Sequence, residues 1–243
     1  MIAALAAAAA ATPAASGPAP LAGVPQALAQ TTGSHGALGA VGMVVLLTLV
    51  TLLPAIVLSC TCFVRFIVVL GFVRTGLGTP SAPPNQVLVG LALFMAVFVS
   101  APVASEIYER AGRAYFANQI DETQALEAAT PPLRSFLLHH TTETDLALFY
   151  EVTNSSRPNT INDVPLKIAI PAFLLTELRL AFKIGLTILL PFLVIDLVAA
   201  TILTALGMVM VPPQVVALPI KILVFVMIDG WHLVVESLLR GAA

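Results

Sequence analysis

Side chains that could do chemistry are few in this chain, and the most telling ones interrupt apolar runs. Asp196, Lys221, Asp229 and His232 all lie in the last fifty residues, among long stretches of Leu, Val, Ile, Ala and Phe. An ionisable residue in such a setting is costly and faces a partner or an aqueous path. Asp196 lies 11 residues before Gly207, and Lys221 lies 14 after it. If the chain reverses near Val209, the two reach depths about 3 Å apart, so they are expected to pair across a hairpin. The pair would either neutralise two charges or take part in moving an ion. Asp229 and His232 are three apart and share a helix face, which suits a proton relay or polar contacts between subunits.

Other chemistry finds no support. The chain carries no zinc-protease helix signature, nucleophile elbow, phosphate loop or dinucleotide fingerprint. His139 and His140 are adjacent, so on a helix their side chains diverge by about 100°, and a surface pair is expected rather than a metal site. His35 is isolated. Cys60 and Cys62 stand two apart in an apolar stretch, read as helical, on nearly opposite faces. They read as core thiols rather than a bridge or shared metal site. Net charge is -2 with no basic run, which argues against nucleic acid as a partner. No enzyme, cofactor or metal is expected.

The elements that must hold these residues are helices in an apolar environment. Of 243 residues, 58% are hydrophobic and 10% charged, against about 25% charged in a soluble domain. Lipid or a large assembly must cover that surface. One phrase occurs twice. Leu77-Gly78 is followed six residues on by Pro83-Pro84, and Leu206-Gly207 at the same spacing by Pro212-Pro213. Each phrase separates two long apolar runs and reads as a hairpin tip. Gly permits the conformation that ends one helix, and Pro suits the first turn of the next. Duplication and turn chemistry both account for the match. At the first tip, Asn85 and Gln86 can offer side-chain hydrogen bonds to open backbone groups.

Four runs have near the length a bilayer demands. They are 43–64 (kinked at Pro54 and closed by Arg65), 87–105, 184–206 and 215–235. The expected organisation is a secretory signal over 1–29, a first apolar hairpin over 41–105, a polar helical block over 106–183 and a second hairpin over 184–240. Residues 1 to 64 contain no Lys, Arg, Asp or Glu. An Ala27-Leu28-Ala29 site fits signal cleavage; a plain Ala/Pro tail is the alternative. In the polar block, Thr130 before Pro131-Pro132 is expected to cap a helix start, and Thr142 with Asp145 another. Arg65 and Arg74 near the first tip place that tip in the cytoplasm and the polar block outside.

Four stretches resemble the FliP family, the P subunit of the flagellar type III export gate, which has an injectisome homologue. The first is Val68-Val69-Leu70-Gly71 with 77–87 (LGTPSAPPNQV) and 90–94 (GLALF). The second is Pro171-Ala172, Thr176-Glu177-Leu178, Ala181-Phe182 and Ile184-Gly185. The third is 191–198 (PFLVIDLV). The fourth is 205–213 (ALGMVMVPP), 217–221 (ALPIK) and Asp229-Gly230-Trp231. The resemblance covers about residues 41 to 240. It implies an all-α inner-membrane protein of the flagellar basal body. Several copies would assemble with two other small membrane subunits, FliQ-like and FliR-like, into a helical gate for unfolded export substrates. It also implies a methionine seal at the second tip. Met208 and Met210 match it, and Val209 replaces a middle methionine. Assembled hairpins of the family are raised out of the bilayer, so the four runs would serve as packing helices. An injectisome gate subunit, or a small-solute or ion transporter using Asp196, Lys221 and Asp229, is the alternative.

Overall fold

The computed structural model describes residues 36–154, 160, 163–208 and 210–242. The expected signal over 1–29, His35 and Val209 lie outside the described residues. Among these residues every regular element is helical and no strand occurs. The chain divides into two compact units, Met1–Leu53 and Pro54–Ala243. Helix α1 (Gly36–Ser59) begins in the first, and its described side chains there are exposed.

The second unit contains α2 (Phe63–Leu77), α3 (Asn85–Ile107), α4 (Arg113–Phe116), α5 (Glu122–His139), α6 (Glu143–Val152), α7 (Leu166–Ala205), α8 (Pro213–Met227) and α9 (Gly230–Arg240). A π-helical turn, Tyr108–Gly112, joins α3 to α4. The 40-residue α7 extends about 60 Å at 1.5 Å per residue and is the spine. Helix α2 packs most extensively along it, α6 and α8 also lie on it, and α3 pairs with α2. The core is made of Phe66, Val69, Leu70 and Val73 of α2, Leu88 and Ala92 of α3, and Ile168, Phe173 and Ala181 of α7. Small residues allow close approach. A Cβ on Gly185 would stand 2.2 Å from Phe72 Cδ2, and one on Gly76 would stand 2.7 Å from Phe192 Cδ2.

Among the described residues, three helices are long and apolar enough to cross a membrane: Gly42–Ser59, Asn85–Phe116 and Leu166–Ala205. The pair α8 and α9 makes a fourth only as a broken span bent by 62°. Phe94, Phe98, Leu190, Leu193, Leu197 and Val226 are among many large apolar side chains left exposed, and these faces suit lipid or other subunits rather than water.

Several expectations are corrected. The first run does not continue to Val64, because α1 ends at Ser59 and α2 starts at Phe63. Cys60 and Cys62 therefore flank a turn instead of sharing a helix. Arg65 does not close a span; it lies in the first turn of α2 with 2% of its surface exposed. The fourth run breaks at Asp229, whose φ is +51°. Thr130 caps nothing: α5 passes through Pro131 and Pro132, and its cap is Asp121, in a capping box with Gln124. That box supplies two reciprocal bonds at the true start, while the Thr130 hydroxyl donates backward to Leu126 O at 2.8 Å. His140 is half-buried rather than a surface residue. The cap at Thr142 is present, accepting from the Asp145 N–H.

Candidate functional site

The second hairpin tip is built by its backbone. At the end of α7, Gly207 adopts φ +75°. The Met208 N–H donates to Leu203 O at 2.9 Å and the Gly207 N–H to Thr204 O at 3.0 Å, the two bonds that close a helix with a left-handed glycine. Pro212 is the N-cap of α8 and Pro213 its first residue. Met208 is 44% exposed and Met210 95%, so both side chains present apolar surface outward.

The first tip repeats the first half of this design. Gly78 is left-handed at φ +74°, and its N–H donates to Thr75 O at 3.0 Å. Here Pro84 is the N-cap and Asn85 the first helical residue, so Pro83 precedes the helix. Among the described residues the N-cap makes no side-chain capping bond; the Thr79 hydroxyl donates to Ala82 O at 2.6 Å. The two tips stand at different heights. Gly76, just before the first, packs against Leu189 and Phe192. Helix α7 continues to Ala205, about 20 Å further, so the second tip projects beyond the first.

On the way to that tip the structure brings Asp196 and Lys221 together, with Lys221 Nζ donating to Asp196 Oδ2 at 2.6 Å. Lys221 is buried and Asp196 half-buried. Asp196 Oδ1 has no hydrogen-bond partner among the described residues. Beyond the pair, Val194, Val198, Ala199, Ile202, Val216 and Ile220 line an apolar groove. Asp229 is not gathered with them. It is exposed at the α8–α9 bend and makes no ion pair among the described residues. His232 faces Glu236 at 3.8 Å rather than Asp229.

A second centre was not legible beforehand. Arg65 donates from Nε to Glu177 Oε2 at 2.9 Å and from Nη2 to Oε1, and the Glu177 side chain is fully buried. Arg65 Nη1 also donates to Gly241 O at 2.6 Å, tying α2, α7 and the end of α9. Beside it Asp145 Oδ2 accepts from the Thr142 and Thr176 hydroxyls, each at 2.7 Å, and Oδ1 from Arg179. The one signal available in the sequence was that a charge with no local partner in an apolar run must find one elsewhere. Burial and the nearby Glu177 charge push the Cys62 thiol up to about 12, which keeps it protonated and unreactive. No three His, Cys, Asp or Glu residues converge among the described residues.

The model of the FliP family matches residues 46–238. The chain is similar to the flagellar biosynthetic protein FliP of Bacillus subtilis (strain 168), 47% identical over 188 residues, covering 77% of this chain and 85% of that one. It is 47% identical over 189 residues to the protein of that name from Pectobacterium carotovorum subsp. carotovorum, covering 78% of this chain and 73% of that one. Against the Caulobacter vibrioides protein it is 44% identical over 193 residues, covering 78% and 73%.

Proposed function

The chain belongs to the FliP family, and from that premise we propose that it is a flagellar biosynthetic protein acting in the flagellar export apparatus. Its finer role is a core subunit of the export gate in the inner membrane. Several copies assemble with FliQ-like and FliR-like subunits around a conduit for unfolded substrates, with the polar block on the periplasmic side. The protein works without catalysis, by forming and sealing a passage.

The observation that carries this reading is the second tip. Two unbranched, flexible, apolar side chains stand exposed at the end of a hairpin that projects past the neighbouring tip. Copies converging on one axis would bring Met208, Val209 and Met210 together as an apolar constriction that excludes water and yields to a passing chain. A solute transporter needs polar groups converging on a substrate. Asp196 and Lys221 instead spend their charges on each other, and Asp229 stands apart. The relatives' names favour the flagellar system over the injectisome.

The test is ion conductance of the reconstituted, substrate-free complex. Met208→Ala with Met210→Ala should leave the complex assembled but permeable to small ions at rest. A variant complex that assembles and stays as tight as wild type would rule the seal out.

A further inference from the structure

The C-terminal end of the chain is held by two side chains that grip adjacent carbonyls. Arg65 Nη1 donates to Gly241 O at 2.6 Å. His140 Nε2 lies 3.0 Å from Ala242 O, and its Nδ1 lies 2.9 Å from Phe136 O on its own helix. The ring is half-buried and packs on Phe136 and Phe173, with centroids 4.6 Å and 6.4 Å away. Both ring nitrogens therefore face an acceptor at hydrogen-bond distance.

A neutral imidazole has one N–H and one lone pair. Either neutral tautomer sets its lone pair against a carbonyl oxygen. Only the imidazolium donates to both. The arrangement is thus complete with one more proton than a neutral ring carries. We propose that His140 is a proton-dependent clasp that fastens the C-terminal end of α9 to the polar block when its ring is protonated and loosens it when the ring is neutral.

The charged groups around the ring leave this logic intact. From α7, Glu177 is close enough to interact with the ring electrostatically, but its carboxylate is engaged by Arg65 of α2. From α9, Arg240 lines a pocket together with His140 and is paired with Glu236 at 2.7 Å. From α6, Asp145 is taken by Thr142, Thr176 and Arg179. Among the described residues, the remaining group is His139 on α5 itself, whose ring centroid is 5.2 Å away and whose own side chain is exposed. Among the described residues, the second proton of His140 therefore goes to Ala242 O or Phe136 O and to no spare carboxylate.

The experiment is amide hydrogen exchange on the full-length protein purified in mild detergent, following residues 230–242 and correcting for the intrinsic pH dependence of exchange. Histidine changes charge between pH 5 and 8, so the comparison is about pH 5.5 against about pH 8. Protection should be about tenfold greater at the acid end, the worth of one charge-assisted bond. In His140→Gln, whose amide donates but does not titrate, the pH dependence should vanish; in His139→Gln it should remain. Nitrogen-15 shifts of the His140 ring in wild type should show two protonated nitrogens in the acid state. Equal protection at both pH values, a pH dependence that survives His140→Gln, or a neutral ring in the fastened state would each overturn the clasp.

Discussion

Breaking the Arg65–Glu177 pair tests whether this junction holds the two hairpins and the polar block in one arrangement. Arg65 is 2% exposed and Glu177 0%. Glu177→Gln keeps the volume and removes the charge. A guanidinium is then left in a core with one neutral acceptor in place of a carboxylate that took two of its N–H groups. Loss of one partner from a buried pair costs about 3–5 kcal/mol, against about 5–15 kcal/mol of total stability for a typical domain. Arg65→Met has the same consequence for the carboxylate and also strips Gly241 O of its donor at 2.6 Å. The double variant Arg65→Met with Glu177→Leu removes both desolvation costs. What remains is chiefly the orphaned Gly241 carbonyl, about 1–3 kcal/mol. Each single variant should therefore be less stable than the double. Thermal unfolding of detergent-purified protein, followed by helical circular dichroism, measures this ordering. A single variant within about 1 kcal/mol of wild type, or a double no better than the worse single, would refute the reasoning.

Three further outcomes are expected. Lys221 is 4% exposed while the Asp196 side chain is 35% exposed, so Asp196→Ala, which strands the buried ammonium, should impair assembly more than Lys221→Ala. The double variant should recover part of the loss; size-exclusion chromatography of the complex reads the order, and equal behaviour of all three would count against the pair. Gly185→Ala places a methyl 2.2 Å from Phe72 Cδ2 and 2.7 Å from its Cγ. It should cost about 1–3 kcal/mol in thermal unfolding, partly restored by Phe72→Leu; a neutral Gly185→Ala would mean the α2–α7 contact is looser than described. The Cys62 thiol, pushed up to about 12, is the neutral, unreactive form until pH approaches that value. In a Cys60→Ser background it should resist maleimide at about pH 8 until the protein is denatured; rapid labelling of the folded protein would contradict its burial.

Much of this molecule could be read along the chain because the responsible interactions are local. The apolar runs and the helical character of the described residues follow from composition and period. Both tips follow from turn chemistry, since Gly78 and Gly207 need a left-handed backbone that other residues resist. Thr142 caps α6 because its partner, Asp145, is three residues away. The approach of Asp196 to Lys221 was legible for a related reason: a hairpin with a known turn makes sequence distance from the tip a measure of depth.

Where local signals competed, the pattern misled. Thr130-Pro131-Pro132 looks like a helix start, but the Asp121–Gln124 box begins the helix earlier, and packing of Pro132 and Phe136 carries it through two residues that cannot donate. The break at residues 60–62 and the bend at Asp229 were likewise missed, because the few polar residues there (Ser59, Thr61, Asp229 and Gly230) sit inside long apolar runs.

Only tertiary structure decided which distant charges meet, and at what height each tip stands. Arg65 and Glu177 are 112 residues apart, His140 and Ala242 102 apart, and no periodicity links them. Burial of apolar area is nearly indifferent to such pairings, since many packings hide the same surface. A buried charge is not indifferent, because it must find its opposite or stay unsatisfied. Composition and local pattern thus determined that this chain is a set of apolar helical hairpins around a polar block. The close approach allowed at Gly76 and Gly185, with the demand of the buried ions for partners, selected the arrangement in which α7 carries its methionine tip past the first tip.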